Sequence, residues 1–241
     1  MLRDLLRVAH LAATRPKRLL ATVHGVLTGP EGECPCCGHV GVFLPASLMP
    51  SWQCPKCFSL HRHRLLALAM GEGFVDFAEL DILHFAPEDV VSRLIRRLNP
   101  AAYRTADLEP GRGELVLDIE KIELPDASLD RVIAVHVLEH VDDRAALSEI
   151  RRILRPGGSL IAMVPIIEGW EETYEDAAVQ TAKAQEAHFG QPTHVRYYGR
   201  DFRDRLSEAG FSVTEFTAGG ADSVRYRLKR GCKVFRAVRL P

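Results

Sequence analysis

From Asp81 onward the chain alternates short apolar runs with stretches whose apolar positions return every three or four residues. Ile82 to Phe85 predicts a short buried strand. Pro87 suits the first position of a following helix, with Glu88 and Asp89 in its first turn and Leu94, Ile95 and Leu98 along it. Ala102 to Ala106 predicts the second strand, closed by Asp107, and Leu115 to Leu117 the third, closed by Asp118. After a turn at Leu124-Pro125-Asp126, Arg131 to Val135 predicts a fourth strand and Asp143 to Leu154 a helix. Pro156-Gly157-Gly158 stops that helix and feeds a fifth strand, Leu160 to Val164. A helix ending near Gly210 and two strands, about Ser212 to Phe216 and Lys233 to Val238, complete the pattern. Strands alternating with helices indicate an α/β domain on a parallel sheet.

The residues ahead of Asp81 follow another pattern. Met1 to Leu27 interleaves leucines with Arg3, Arg7, Arg15, Lys17 and Arg18, which predicts a basic amphipathic helix broken near Pro16. Packing on the body of the protein is the first reading of that helix; a membrane surface or a partner is the alternative. The segment lacks an uninterrupted apolar core and a small-residue cleavage site, so no secretory signal is expected. The longest apolar stretches fall well short of the ~20 residues of a membrane span. Leu65 to Met70, after the basic His61-Arg62-His63-Arg64, predicts a linker helix closed by Gly71 and Gly73. The chain thus divides into a basic helical segment (1–30), a cysteine-rich module with its linker helix (31–74) and the α/β domain (75–241), with residues 166–198 inserted in the last.

The cysteines change the picture most. Cys34 and Cys37 are spaced C-x-x-C, as are Cys54 and Cys57, and 16 residues lie between the pairs. That gap is within the ~15–20 residues of four-cysteine zinc sites. Zinc takes four ligands in a tetrahedron and each pair supplies one edge, so a structural Zn2+ on these four thiolates is expected. Cys36, His39, His61 and His63 are nearby candidates to replace one of them. Gly38 suits a knuckle turn with positive φ; Phe58 occupies the matching place after the second pair and suits it less. Paired thiols of this kind imply a reducing cytoplasm rather than a disulfide framework. Composition adds limits: 241 residues with 46% apolar content support a sizeable core, and a formal charge of −1 argues against a protein built to coat nucleic acid. The basic run Arg225-Tyr226-Arg227-Leu228-Lys229-Arg230 is the local exception.

Two acids at strand ends point to a ligand. Asp107 lies 21 positions after Ala86, near the ~20-residue offset at which nucleotide-binding domains set a carboxylate on the ribose hydroxyls. Asp118 closes the next strand, within reach of an adenine edge. The alternative reading is two solvated loop aspartates. The dinucleotide fingerprint is absent, which disfavours hydride transfer.

Leu124-Pro125-Asp126-Ala127-Ser128-Leu129-Asp130-Arg131-Val132, His136-Val137-Leu138-Glu139-His140-Val141-Asp142-Asp143 and Glu149-Ile150-Arg151-Arg152-Ile153-Leu154-Arg155-Pro156-Gly157-Gly158 follow one another in an order that resembles class I S-adenosylmethionine-dependent methyltransferases of type 11. The resemblance covers Asp81 to Pro165. Phe189 to Gly199 is also similar to a motif of a bacterial subgroup that joins a cysteine-rich head to this fold. The resemblance implies a Rossmann-like, seven-stranded, mostly parallel sheet with flanking helices, a small N-terminal zinc-binding module, and S-adenosylmethionine as methyl donor. It places the cofactor along Phe85, Ala86, Pro87 and Glu88, Asp107 and Leu108, Asp118 and Ile119, and His136. One departure stands out: the family's first loop is glycine-rich, whereas here Ala86 is followed by Pro87, which removes an N–H donor.

Methyl transfer from a sulfonium needs alignment of donor and acceptor and, for some acceptors, removal of a proton. His136, His140 and His194 are the catalytic candidates. Glu139, Tyr174, His194, Arg196 and Tyr197 are the candidates for acceptor binding, since residues 166–198 are too long for a plain connection. The expected acceptor is a small molecule or saccharide. The alternatives are ribosomal-type RNA, by resemblance to guanine methyltransferases with a zinc head, and a catalytically degenerate S-adenosylmethionine-binding module.

Overall fold

A computed structural model describes residues 29–46 and 52–241. The basic helix expected over Met1 to Leu27 lies outside the described residues. Two compact units emerge, one ending at Leu68 but also including Ala218–Arg230, the other comprising Ala69–Thr217 and Gly231–Pro241. The sequence boundary expected at 74/75 therefore falls a few residues earlier. A 13-residue segment between the last two strands joins the cysteine unit instead of the α/β unit.

In the first unit, β1 (Glu31–Glu33) pairs antiparallel with β2 (Val40–Val42), and β3 (Leu44–Pro45) with β4 (Trp52–Gln53). Each C-x-x-C lies in the turn beyond a short strand. Gly38 N donates to Cys34 O at 2.8 Å and Phe58 N to Cys54 O at 2.9 Å. Both turning residues are left-handed, Gly38 at φ 70° and Phe58 at φ 62°. The second knuckle thus closes like the first despite its side chain, at a backbone cost of roughly 1–2 kcal/mol.

Arg64, at the start of α1 (His61–Gly71), is fully buried. Its guanidinium donates to the carbonyls of Ser59, Trp52, Tyr226 and Arg227 and lies 4.8 Å from the Phe43 ring centre. One side chain so ties the second knuckle to the segment 218–230. The basic run there is engaged in the same unit: Arg225 pairs with Glu33 at 2.8 Å and Arg227 donates to Glu31 O.

The second unit is a seven-stranded sheet. Its strands are β5 (Asp81–Phe85), β6 (Ala102–Asp107), β7 (Leu115–Val116), β8 (Leu129–Val135), β9 (Leu154–Met163), β12 (Phe211–Phe216) and β13 (Val234–Arg239), in the order β12-β13-β9-β8-β5-β6-β7. Strand β13 alone runs against its neighbours. Helices α2 (Asp89–Arg96), α3 (Asp143–Ile153) and α5 (Phe202–Glu208) flank the sheet, and the connection after β9 holds β10 (Tyr174–Glu175), α4 (Ala182–Phe189) and β11 (Arg196–Tyr197). Leu83, Val132, Ala134, Leu160 and Ala162 of the central strands share one buried apolar cluster with Ala146, Leu147 and Ile150 of α3. Central strands apolar on both sides are what a parallel sheet covered by helices requires.

Strand β9 begins directly at the end of α3, six residues before the expected Leu160. Gly158 makes this possible: a Cβ there would sit 2.9 Å from Arg155 O and 3.0 Å from Asp130 O. Helix α3 is capped by Asp142, whose side chain accepts from Arg144 N and Ala145 N, a contact worth about 1 kcal/mol.

Candidate active site and metal centre

The four paired cysteines converge. Their sulfurs all lie within 4.8 Å of one another, with Cys34–Cys57 and Cys37–Cys54 at 3.6 Å. A tetrahedron with ~2.3 Å zinc–sulfur bonds has edges of about 3.8 Å, so the sulfurs fit one ion. Cys36, also buried, donates its thiol hydrogen toward Cys34 and Cys57. This holds the Cys34 thiol down at about 5 and the Cys57 thiol at about 3, and keeps Cys36 itself protonated. Burial raises Cys37 and Cys54 instead. Ser59 Oγ lies 3.2 Å from Cys34 Sγ, a further donor to the sulfur cluster.

In the α/β unit the chemistry gathers beyond the carboxyl ends of β5, β6 and β8. Phe85 is buried at the end of β5 and Ala86 turns the chain with φ 47°, its N–H donating to Ala106 O at 2.8 Å. The alanine has thus taken the conformation that a glycine would hold at lower cost. Pro87 and Glu88 are half-buried and lead into α2. Asp107 ends β6 with Oδ1 accepting from Glu109 N at 2.9 Å, which fixes its rotamer; Leu108 beside it is exposed. Gly113 allows the returning loop to cross there: a Cβ would meet the Ala106 and Asp107 backbone at 2.9 Å. Asp118 is exposed and accepts from Glu120 N, while Ile119 is buried.

His136 follows β8 in a left-handed conformation, φ 57°, with its N–H bonded to Met163 O. Its Nδ1 lies 2.8 Å from Glu139 Oε1. A 3-10 turn, Leu138–His140, buries Glu139 completely and leaves His140 half-exposed. The structure brings His194 to this turn from 54 residues away: the rings of His140 and His194 meet edge-on at 4.6 Å between centres. Val195 N donates to Glu139 O, and His140 Nδ1 lies 3.1 Å from Thr193 O. His194 is buried, and burial holds its pKa below the usual range.

Arg196 lies near the turn with its guanidinium turned inward. It donates to Glu175 at 2.9 Å and to the Leu138 and Val141 carbonyls, with Asp143 at 3.5 Å. Tyr198 donates to Asp143 Oδ2 at 2.9 Å, and Arg205 joins Asp143 to Glu175. Burial and the neighbouring Asp143 carboxylate push Tyr198 well above its ordinary value. Asp143, Tyr198 and Arg205 are the positioning residues that the sequence pattern did not single out; their one signal was three polar side chains on otherwise apolar faces. Tyr174 and Tyr197 stand with Trp170 at 6.4 and 6.3 Å, and Tyr174 Oη lies 2.6 Å from His188 Nδ1. A cavity of about 780 Å3, lined by Arg144, Arg151, Arg152, Arg205 and Arg239, holds none of the residues expected from the sequence to bind cofactor or acceptor.

A seven-stranded sheet with one reversed strand, acids at the tips of its parallel strands and a polar turn after the fourth of them define a Rossmann-like methyltransferase fold. Residues 81–162 match the family model described as methyltransferase domain.

Among curated proteins, the chain is 35% identical over 114 residues to a 37.1 kDa protein in transposon TN4556 of Streptomyces fradiae, covering 47% of this chain and 32% of that one. It is 38% identical over 66 residues to a Mycolicibacterium smegmatis protein named probable S-adenosylmethionine-dependent methyltransferase, covering 27% and 23%. The chain therefore spans about a third or less of these relatives. Among solved structures it resembles a chain in the complex of the Haloferax volcanii Trm112 methyltransferase activator with a methyltransferase (TM-score 0.55, 16% identity, 75% of this chain and 91% of that one). A Mesorhizobium loti S-adenosylmethionine-dependent methyltransferase is similar too (0.52, 16%, 73% and 97%). Among the described residues, no helix is long and apolar enough to cross a membrane.

Proposed function

We propose that this protein transfers a methyl group from S-adenosylmethionine to a small-molecule or saccharide acceptor, and that its cysteine unit holds one structural zinc. The observation that carries the reading is the strand-end arrangement: the left-handed turn at Ala86, the fixed Asp107 carboxylate one strand over, and His136 beyond β8. The bound cofactor would supply an electrophilic methyl on a sulfonium. Phe85, Ala86, Pro87 and Glu88 would line its amino-acid end. Asp107 would accept from the ribose hydroxyls, with Leu108 covering one side, and Asp118 with Ile119 would flank the adenine. His136 would border the reacting centre, and His140 and His194 are the groups placed to take an acceptor proton.

The aromatic group of Tyr174, Tyr197 and Trp170 would offer flat faces to an acceptor, and Glu139 of the 3-10 turn would be its acidic partner. Arg196 acts through position: its carbonyl and carboxylate partners hold the insertion against the 3-10 turn. The four cysteine sulfurs, with the fit to a zinc tetrahedron described above, close their site to any fifth protein ligand, as structural zinc sites do. Reduced, metal-bound thiols agree with a cytoplasmic setting. RNA is the second reading. The residues that favoured it are His61 to Arg64 and the basic C-terminal segment; of these Arg64 is buried among carbonyls, and Arg225 and Arg227 are engaged by Glu33 and by the Glu31 carbonyl, which favours a small acceptor.

Calorimetry with S-adenosylmethionine and its demethylated product tests the cofactor reading: both should bind, and absence of binding by both would overturn it. Radiolabelled methyl transfer into fractionated cell extract then identifies the acceptor. Label appearing in RNA, with salt-sensitive retention on immobilised RNA, would replace the small-acceptor reading.

A further inference from the structure

Glu139, His140 and His194 have a second chemistry that methyl transfer does not require. One carboxylate oxygen and one nitrogen from each ring lie within 4.8 Å of one another. The hydrogen bonds around them dictate which atoms face inward. His140 Nδ1 sits 3.1 Å from the Thr193 carbonyl, which can only accept, so Nδ1 carries the proton and Nε2 keeps its lone pair. His194 is hydrogen-bonded to the backbone of Phe189, while its Nδ1 has no partner. Glu139 Oε1 is engaged by His136 Nδ1, while Oε2 is fully buried and has no partner. Each of the three residues therefore keeps an acceptor available: Nε2 of His140, Nδ1 of His194 and Oε2 of Glu139. Leaving a buried carboxylate oxygen and a buried ring nitrogen unpartnered is costly, unless a cation occupies the space between.

We propose that Glu139, His140 and His194 form a binding site for a divalent cation. Two imidazoles and one carboxylate suit a borderline first-row ion of the zinc, iron or cobalt kind better than magnesium, whose preference is for oxygen. The surroundings are those of a prepared site. The backbone carbonyls of Thr193 and Phe189 orient the two rings, and His136 orients the carboxylate, the arrangement that typically supports metal ligands. His140 also lines a cavity of about 420 Å3, which gives the ion an entry path. Three protein ligands leave open positions for water or for an oxygen of the acceptor, in contrast to the closed cysteine set.

The test uses the full-length protein as purified, titrated with Co2+. Binding at a nitrogen and oxygen site gives weak d–d absorption, whereas exchange into the cysteine site adds intense sulfur-to-metal bands. The expected result is one equivalent of Co2+ with the weak bands alone, beyond the metal already present by elemental analysis. In Glu139→Gln and in His140→Asn the affinity for this equivalent should fall more than about tenfold. His140 is half-exposed, so its variant keeps the experiment valid where the buried glutamate variant fails to fold. No weak-band equivalent in the wild-type protein, or unchanged affinity in His140→Asn, overturns the site. Neither outcome depends on binding of S-adenosylmethionine, so a failure here and a failure of the methyltransferase reading are separately visible.

Discussion

The cysteine cluster and the Glu139–His140–His194 cluster both collect lone pairs, but they are assembled in opposite ways. In the first, two short turns each deliver a ready-made pair of sulfurs, and the distance between ligands within a turn is set locally. In the second, Glu139 and His140 come from one 3-10 turn while His194 arrives from an insertion that folds back over it. The first closes all four positions; the second stays open on the side of His140. The difference teaches that a closed site can be written in local sequence, whereas an open one depends on a buried scaffold of other residues. Here that scaffold is Asp143 with Tyr198, Arg196 and Arg205.

The sharpest way to break the comparison is to remove one sulfur. Cys57→Ser should abolish zinc retention by the cysteine unit, because structural zinc contributes on the order of 10 kcal/mol to the folding of such modules; elemental analysis after chelator treatment reads this directly. Arg64→Met should weaken the same unit without touching a ligand. It leaves four carbonyls, the buried one of Ser59 among them, without their donor, for a loss of about 3 kcal/mol, visible as faster zinc release to a chromogenic chelator in moderate urea. At the strand ends, Asp107→Ala should raise the dissociation constant for S-adenosylmethionine by about tenfold to a hundredfold, as two charge-assisted hydrogen bonds are lost. Unchanged affinity in calorimetry would remove Asp107 from the cofactor site. The smallest effect is a gain. Ala86→Gly relieves about 1–2 kcal/mol of left-handed strain and returns part of it as chain entropy, so the melting temperature should rise slightly with cofactor affinity preserved.

Period and order made most of the sheet legible. The expected strands and α3 all appear within a few residues, because each pairs a contiguous apolar run with a clear stop. Strand β9 was read short because Pro156-Gly157-Gly158 looks like a break, whereas Gly157, at φ 79°, and Gly158 let the chain continue in the sheet. Phe58 was read as a poor knuckle residue because its side chain disfavours positive φ; the backbone hydrogen bond to Cys54 O fixes it there all the same. The convergence of the four paired cysteines was legible to the residue. The polar turn at His136 to His140 was legible as a segment, but its meeting with His194 was not, since no local spacing relates positions 140 and 194. Arg196 looked like a residue for an anionic acceptor; only the fold reveals the carboxylates and carbonyls around it.

The burial of Arg64 has a consequence for the order in which this protein is made. Its carbonyl partners at Tyr226 and Arg227 lie 162 and 163 positions further along the chain. On the ribosome the cysteines emerge well before these partners. The unit that holds them is complete only once Tyr226 and Arg227 have been synthesised. Until then a positively charged side chain destined for the interior stays in water, and the early knuckles wait for the late strap. The cysteine unit is thus begun early in this stretch of chain and finished only after most strands of the α/β sheet have been made.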